Sequence, residues 1–341
     1  MITIIIKSFN RPHYLDRCLF SIYLNIKGTF KIKVVDDGTP EKYLKKISDK
    51  YPDIEIIKTQ NYNRKIQSIK DNIEKGDLIN GFDIPISDWK ETVKKSSDYV
   101  LVTEDDVWFT GKLDLDIIYQ VMKDKNSSLL KIGWISNRTI KSKIIEEVGN
   151  IQFIKPDLFL GNRFVMECIL KNKFKIFSLL YRLGKVDNSS RNEYWILNSM
   201  LMGVYKRDYW LNVWSTLSNK VDEMEQLINA SVWAKKNTDN KYAFSKLNSL
   251  IMNTTFQSSA TTSYHEHYKI NFDVNKFNYY LNEEWYKDNF DVISDFPKDI
   301  NRAKIVEILD KFNDEKCTSE NWILWTNKFK EQYIKQGVVV E

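Results

Sequence analysis

The chain has 341 residues, of which 43% are hydrophobic and 28% charged, and its formal net charge is +5. This composition is that of an ordinary globular protein, and its three widely separated cysteines exclude a disulfide scaffold. The small, dispersed positive charge argues against nucleic acid as the main partner, and no apolar stretch has the length of a transmembrane helix. We therefore expect a cytoplasmic protein, with a peripheral contact at the inner face of a membrane left open.

The N-terminal third alternates between predicted strands and helices. Apolar or β-branched runs predict strands at residues 2–6, 30–35, 54–58 and 99–103, and helical spacing predicts helices at 13–26, 41–50 and 87–97, with mixed helix and loop over 61–80. Such alternation is typical of a parallel sheet whose strands are joined by crossover helices.

Three of these strands end in polar residues of kinds that bind ligands. The first is followed by Ser8, Phe9, Asn10 and Arg11, the second by Asp36 and Asp37, and the strand at 99–103 by Glu104, Asp105 and Asp106. Ligands of open α/β sheets bind beyond the carboxyl ends of strands, and Mg²⁺ and Mn²⁺ prefer carboxylate oxygens. The pattern predicts a metal and diphosphate site. The alternatives are a solvated acidic turn, an ordinary turn at Asp37 and a helix cap at Asn10.

The order and spacing of Ser-Phe-Asn-Arg-Pro, Val-Val-Asp-Asp-Gly-Thr and Glu-Asp-Asp resemble the nucleotide-sugar half of a GT-A glycosyltransferase, most like family 2. The resemblance covers residues 1–110 well and 195–235 more loosely. It implies an α/β fold of GT-A type, with a Rossmann-like, mostly parallel central sheet flanked by helices.

The resemblance also implies roles for single residues. Ser8, Phe9, Asn10 and Arg11 would contact the nucleotide, Asp37 the base and Asp105 the sugar or ribose. Glu104 would also belong to the nucleotide-sugar site. Asp106 would hold a divalent metal, Mn²⁺ or Mg²⁺, on the diphosphate. Residues 61–67 lack the glycines and alanines of many relatives. Arg64 and Lys65 in this segment are candidates for a phosphate or the base, although solvated surface positions are favoured slightly.

Further along the chain, a helix is predicted over 111–125 and a strand over 129–136. Residues 171–183 combine basic and large apolar side chains, which favours a half-buried helix over a membrane or acceptor contact. Residues 194–210 resemble the acceptor-side strand of the family, which would place Gly203 close to the donor sugar.

The catalytic base is expected in a helix over 218–236 with Ser218 as its cap. The family usually carries a Glu-Asp pair here, and this chain has Glu223 and Glu225. Helical phase predicts an apolar face with Glu225 at its edge and Glu223 roughly opposite, so Glu225 is the predicted base and Glu223 its alternative. The acids could equally serve only to favour a helix start.

His265 and His267 alternate within a β-like run over 254–268, so both would lie on one side of a strand. The resemblance implies a C-terminal histidine as a further metal ligand, with a surface turn as the alternative. From residue 271 the chain reads as helical, with an aromatic stripe that predicts core packing. The expected division is a nucleotide-sugar-binding part (1–110), an acceptor-binding part (111–270) and a helical C-terminal extension (271–341).

Together these features predict metal-dependent transfer of a sugar from a UDP-sugar to a hydroxyl of a glycan or related acceptor, with inversion implied by the resemblance. The rivals are a nucleotidyltransferase and a non-catalytic nucleotide-sugar-binding module. Residues 9–12 contain no glycine, which disfavours the nucleotidyltransferase. The oligomeric state is left open.

Overall fold

The computed structural model describes residues 1–77, 83–133, 142–199, 201–260 and 268–335. The strands are β1 (Ile2–Ser8), β2 (Ile26–Lys27), β3 (Phe30–Asp36), β4 (Ile54–Lys58), β5 (Tyr99–Glu104), β6 (Val107–Phe109), β7 (Leu113–Asp114), β8 (Leu129–Lys131), β9 (Ser142–Val148), β10 (Ile151–Pro156), β11 (Gly203–Lys206), β12 (Phe244–Leu247) and β13 (Met252–Thr254).

The α-helices are α1 (Pro12–Asn25), α2 (Glu41–Lys50), α3 (Tyr62–Lys75), α4 (Ile86–Lys94), α5 (Leu115–Asp124), α6 (Arg163–Leu170), α7 (Ile176–Arg182), α8 (Arg207–Val213), α9 (Glu223–Lys236), α10 (Val274–Tyr286), α11 (Arg302–Phe312) and α12 (Ser319–Lys335). Short 3₁₀ turns occupy Lys173–Lys175 and Asn192–Leu197. Within the described ranges, none of the helices has both the length and the apolar character needed to cross a membrane.

Within the described residues, the central sheet has nine strands in the order β4-β3-β1-β5-β11-β8-β12-β10-β9. Strands β4, β3, β1 and β5 are all parallel, and only β11 and β10 run opposite to the other strands of this sheet. The predicted α/β fold with a mostly parallel central sheet flanked by helices is confirmed.

The first strands form the centre of the core because both of their faces are covered. Ile4 and Ile6 of β1 pack with α1 and with side chains of the C-terminal helices. Ile5 points to the other face and packs with side chains of α4, α8 and α9. A strand buried on both faces reads as an unbroken apolar run, which is what residues 2–6 show.

The C-terminal helices are bonded directly to the N-terminal elements. The Arg17 guanidinium donates to the carbonyls of Val292 and Lys298. The Trp108 indole N–H donates to the Pro297 carbonyl at 2.8 Å, and the Trp285 indole N–H donates to Asp16 Oδ2 at 2.9 Å. Trp322, Trp325 and Phe329 of the predicted aromatic stripe are buried in the same core, as expected.

Several predicted elements have different bounds in the structure. The strand expected over 194–210 is limited to β11, because a 3₁₀ turn precedes it and α8 follows directly. A short apolar run alone does not distinguish a buried strand from a buried helix. Of the β-like run predicted over 254–268, only Thr254 lies in a strand among the described residues, because β13 ends there. Helix α9 begins at Glu223 because Asp222, and not Ser218, is its cap, with Asp222 Oδ1 accepting from the Glu225 N–H at 2.9 Å.

Candidate active site

The carboxyl ends of β3, β1 and β5 meet at one edge of the sheet. The register sets Ser8 beside Asp36 and Lys7 beside Glu104. Since β1 lies between the other two strands, the three polar strand ends singled out in the sequence are neighbours in space.

Arg11 links the first of these strand ends to the third. Its Nη1 donates to Asp106 Oδ2 at 2.8 Å and its Nη2 to Asp105 Oδ1, and the side chain of Arg11 is 5% exposed. The backbone N–H of Phe9 donates to the other oxygen of Asp105 at 3.1 Å. Burial raises the pKa of Asp105, and the Arg11 guanidinium opposes this shift. Asp105 is therefore held by protein donors, and Arg11 neutralises the acidic motif from within.

Asp106 differs from Asp105 because one of its oxygens is free. Asp106 Oδ1 is buried and has no hydrogen-bond partner among the described residues. Glu104 is bound by the Lys7 ammonium at 2.5 Å and borders the same space as Asp106. A buried carboxylate oxygen without a donor fits a hard cation, which typically takes one or two carboxylates together with substrate phosphates.

The described residues contain no group of three or more side chains arranged as metal ligands. His265 and His267, the other predicted ligands, lie outside the described residues. Of the three predicted metal ligands, Asp106 is the one that the described structure contains, and it lies at the site.

Asp37 forms a buried ion pair with Lys65. Its Oδ2 accepts from the Lys65 ammonium, and its Oδ1 accepts from the Thr59 hydroxyl at 2.6 Å. Burial raises the pKa of Asp37, with the Lys65 and Thr59 hydrogen bonds opposing the shift. The surface position favoured for Lys65 is wrong, because its side chain is 1% exposed. Its spacing from Tyr62, Ile69 and Asn72, which are also buried, is the sequence signal that could have placed it.

Asn10 adopts a left-handed backbone conformation, with φ of 50°, that brings the chain across the strand ends. Its N–H donates to Thr39 Oγ1 at 2.9 Å, and its carbonyl accepts from Asn282 Nδ2 at 3.1 Å. Arg64 lies apart from this cluster, because its side chain is 59% exposed and its guanidinium is 4.0 Å from Asp83.

Two cavities flank Glu104 and Asp106. One has a volume of about 700 Å³ and extends along β13 towards the C-terminal helices. The other, of about 380 Å³, reaches from Arg11 to the start of α9. Its lining includes residues that sequence reasoning did not single out: Lys7, Trp89, Trp195, Ser199, Tyr205 and Gln226. Gly203 does not line this cavity itself but is packed beside Ser199, which does.

As the helical phase predicts, Glu225 is buried and Glu223 is exposed, but Glu223 is the one of the two that lines the smaller cavity. Glu223 lines the smaller cavity, makes no hydrogen bond or ion pair with another described residue, and has a pKa raised by desolvation and by Asp222. The Glu225 carboxylate is bound by Arg163, by Lys171 at 2.7 Å and by the Thr216 hydroxyl at 2.9 Å. Burial opposes these contacts, but Lys171 and Arg163 lower the pKa of Glu225 to about 2. A carboxylate held in this way is a poor proton acceptor.

Residues 3–75 match the family model described as Glycosyl transferase family 2. This N-terminal segment is therefore similar to family 2 glycosyltransferases. The matched segment contains Ser8 to Arg11, Asp37 and Lys65. The acidic motif at 104–106 and Glu223 lie beyond it. No curated protein matches the sequence.

Among solved structures, this chain is similar to S. aureus TarS 1-349, with a TM-score of 0.38 and 13% identity, covering 92% of this chain and 70% of TarS 1-349. The complex of S. aureus TarS 1-349 with UDP-GlcNAc has a TM-score of 0.37 and 13% identity, covering 99% of this chain and 81% of that chain. The galactosyltransferase LgtC in complex with donor and acceptor sugar analogs has a TM-score of 0.34 and 13% identity, covering 67% of this chain and 70% of that chain. Likenesses at this level support no conclusion about substrates.

Proposed function

We propose that this protein is a glycosyltransferase that moves a sugar from a UDP-sugar to a hydroxyl of a glycan or related acceptor. The observation that carries the proposal is the smaller cavity. It begins at Arg11 and Asp106, beside the family-matched strand ends, and reaches the unpaired carboxylate of Glu223. A donor diphosphate and an acceptor hydroxyl therefore find groups of suitable chemistry at opposite ends of one space.

On the donor side, Asp37 would accept a hydrogen bond from the N–H of a uracil-like base. Each carboxylate oxygen has two acceptor sites, so the bonds from Lys65 and Thr59 leave capacity for a further donor. Asp106 would hold Mn²⁺ or Mg²⁺ through Oδ1. Such a cation neutralises charge on a leaving diphosphate when it is bound.

On the acceptor side, Glu223 would serve as the general base. The acceptor oxygen forms a bond to the anomeric carbon while the bond from that carbon to the diphosphate breaks, and the hydroxyl proton passes to Glu223. A pKa above the ordinary glutamate value makes its carboxylate a better proton acceptor near neutral pH. A single displacement of this kind inverts the anomeric centre.

The test is release of UDP from UDP-glucose, UDP-galactose and UDP-N-acetylglucosamine in the presence of Mn²⁺ and candidate glycan acceptors. Glu223→Gln should lower transfer by about 10²–10⁴-fold and leave donor binding unchanged, because it removes the basicity and keeps the shape. Glu225→Gln is the matched control and should retain most of the activity. Failure of all three donors to bind or react, or a crippling effect of Glu225→Gln alone, would contradict the proposal. Formation of UTP and sugar 1-phosphate from the UDP-sugar and added pyrophosphate would favour a nucleotidyltransferase instead.

A further inference from the structure

Residues 159–185 present large apolar side chains to solvent on one side of the molecule. This segment, which we call the basic apolar face, contains α6, the 3₁₀ turn at Lys173–Lys175 and α7. Phe159 is 62% exposed, Phe164 55%, Phe174 70% and Leu183 62%. Single exposed apolar residues are ordinary, but a contiguous group marks an interaction surface.

The three exposed phenylalanines of this face lie close together. The ring centroids of Phe164 and Phe174 are 6.0 Å apart, and the Lys173 ammonium lies 5.5 Å from the first ring and 5.8 Å from the second. A mainly apolar cavity of about 560 Å³ opens beside them, between α6 and α7. Its lining continues the exposed surface inwards, from Phe159 and Phe164 to Leu180.

The turn between α6 and α7 has an unusual backbone. Asn172, Phe174 and Lys175 have φ values of 55°, 55° and 58°. A positive φ is readily adopted by asparagine but is costly for phenylalanine and lysine. The turn keeps this strained conformation although the Phe174 ring is exposed. Burial of the ring within the chain therefore does not compensate for the strain.

Basic residues outnumber acidic ones around the apolar side chains, and the acidic residues Asp157 and Glu193 line the cavity from outside the segment. The segment has one acidic residue, Glu167, against six basic residues, Arg163, Lys171, Lys173, Lys175, Arg182 and Lys185. Its net charge of +5 equals that of the whole chain, so the other residues sum to zero. Arg163, Lys171 and Lys173 form ion pairs with carboxylates. Lys175, Arg182 and Lys185 have no such pair within the described ranges and leave unbalanced charge on the surface.

We infer that the basic apolar face docks on an anionic lipid bilayer. Exposed aromatic and aliphatic side chains next to Lys175, Arg182 and Lys185 match the boundary between acyl chains and anionic headgroups. A glycan acceptor offers mainly hydroxyl groups and would leave the exposed phenylalanine rings without a matching apolar partner. A second copy of the chain would carry the same positive charge to the contact.

The docked face is connected to the candidate active site through α6. Arg163 and Lys171 bind Glu225 on α9, two residues after Glu223. Docking would therefore fix the orientation of the start of α9 relative to the lipid surface. The inference concerns binding alone and does not depend on the proposed reaction.

The test is co-sedimentation of the full chain with vesicles, without any nucleotide or sugar. Vesicles of phosphatidylcholine alone are compared with equimolar phosphatidylcholine and phosphatidylglycerol. We expect binding to the anionic vesicles, little binding to the neutral ones, and release by salt, because screening weakens charge attraction at the surface.

Two sets of variants separate the charged and apolar contributions. Lys175→Ala, Arg182→Ala and Lys185→Ala together should weaken binding by roughly 100-fold, since each basic residue near an anionic surface contributes about 5-fold. Phe164→Ser with Phe174→Ser should weaken it by at least about 10-fold. The matched controls replace exposed residues elsewhere on the chain and should bind as the parent does. They are Lys27→Ala, Lys31→Ala and Lys123→Ala together, and Leu24→Ser with Ile117→Ser.

Absence of binding to anionic vesicles by the parent chain would overturn the inference. Equal losses in the test and control variants would also overturn it, because the face would then have no special part. A parent chain that is dimeric in solution and becomes monomeric in the Phe164→Ser and Phe174→Ser variant would assign the face to a second copy instead. Since all these variants change exposed side chains, circular dichroism should show each of them folded.

Discussion

At the scale of single residues, the ion pair of Asp37 and Lys65 combines a structural and a proposed binding role. Both side chains are almost completely buried, at 7% and 1% exposure. Removing one member of a buried pair leaves the other charge without compensation, which typically costs about 3–5 kcal/mol. The pair therefore complicates any test of Asp37 as the residue that binds the base.

We predict that Asp37→Ala lowers the free energy of unfolding by about 3–5 kcal/mol, because the Lys65 ammonium would remain buried without its partner. Urea denaturation followed by circular dichroism measures this. The double variant Asp37→Asn with Lys65→Met should recover at least half of the loss, since the charge is gone and Asn can still accept from Thr59. A double variant as unstable as Asp37→Ala would show that the pair is not the cause.

The same double variant isolates base recognition. It should fold, yet bind UDP more weakly by about 1–3 kcal/mol, because an amide offers a weaker acceptor than a carboxylate to the base N–H. Isothermal titration calorimetry checks this. An unchanged UDP affinity would leave Asp37 with a structural role only.

Asp106 carries the prediction on metal dependence. UDP affinity should fall when Mn²⁺ is removed by a chelator. Asp106→Asn should abolish that difference, because an uncharged amide would replace the carboxylate whose Oδ1 has no partner among the described residues. Calorimetry of UDP binding with Mn²⁺ and with chelator gives the comparison. Asp105→Asn is the contrasting variant, since Asp105 is bound by Arg11 and should act mainly on stability.

The meeting of the polar strand ends was predictable residue by residue, and the surroundings of α9 were not. The strand-end acids and Arg11 follow short apolar strands, so local sequence brought them into view. The phase argument for Glu225 assumed a helix with one buried face, but α9 is buried on several sides, with Glu225, Gln226, Leu227 and Ile228 in succession. Where a helix is buried nearly all round, apolar periodicity does not indicate which side faces a cavity.

At the scale of elements, β8 contains a buried lysine whose charge opposes folding. Lys131 is 5% exposed, and its Nζ donates to the Trp195 carbonyl at 2.6 Å. Desolvation, with a smaller contribution from Lys246, lowers the pKa of Lys131 from 10.5 to about 7. Between these two values the unfolded chain holds a proton that the folded chain has lost, so stability should rise with pH across this window.

We predict that Lys131→Met raises the free energy of unfolding at pH 7 and flattens its rise between pH 7 and pH 9.5. The reason is that methionine keeps most of the apolar volume and removes the cost of burying a charge. Urea denaturation at both pH values measures this. Lys31→Met, on exposed surface of β3, is the control and should leave the slope unchanged. A lower stability of Lys131→Met at both pH values would mean that the bond to Trp195 outweighs the desolvation cost.

The contact between α6 and α9 gives the opposite pH dependence. The pKa of Glu225 is lowered from 4.5 to about 2, so its stabilising contribution is complete above pH 4.5 and is lost as the pH falls towards 2. Glu225→Gln should therefore lower stability by about 1–2 kcal/mol at pH 7, with the difference from the parent shrinking below pH 4. Thermal unfolding at pH 7 and pH 3 tests this. A constant difference at both pH values would exclude the ion pairs as its source.

The bounds of the elements in the N-terminal third were predicted closely, because the spacing of apolar residues there alternates clearly between that of strands and that of helices. The helix at 41–50 and the strand at 54–58 match α2 and β4. The hairpin of β9 and β10 was missed, since its first strand is largely exposed and carries charged residues at several positions. Edge strands of this kind lack the apolar alternation on which strand prediction depends.

At the scale of the whole molecule, the C-terminal helices share one core with β1 and α1. Trp285, Trp322 and Trp325 belong to the same buried cluster as Ile4 and Leu15. We predict that a chain ending at residue 270 is insoluble or molten, because α1 would lose the cover of Trp285 and of the segment that follows it. Near-ultraviolet circular dichroism and calorimetry check this, and a single cooperative transition is expected for the full chain. A truncated chain with native spectra and full UDP binding would contradict the shared core.

The bonds between Arg17 and the carbonyls of Val292 and Lys298 also limit how chimeras can be built from this protein. An exchange of C-terminal helices with another enzyme would remove the carbonyls that satisfy a buried guanidinium in α1. His13, which bonds Asn282 at 2.6 Å, and Trp108, which bonds Pro297, would lose their partners in the same exchange. A working chimera would need to transfer Arg17, His13 and Trp108 together with the helices, although these three residues are far from them in sequence.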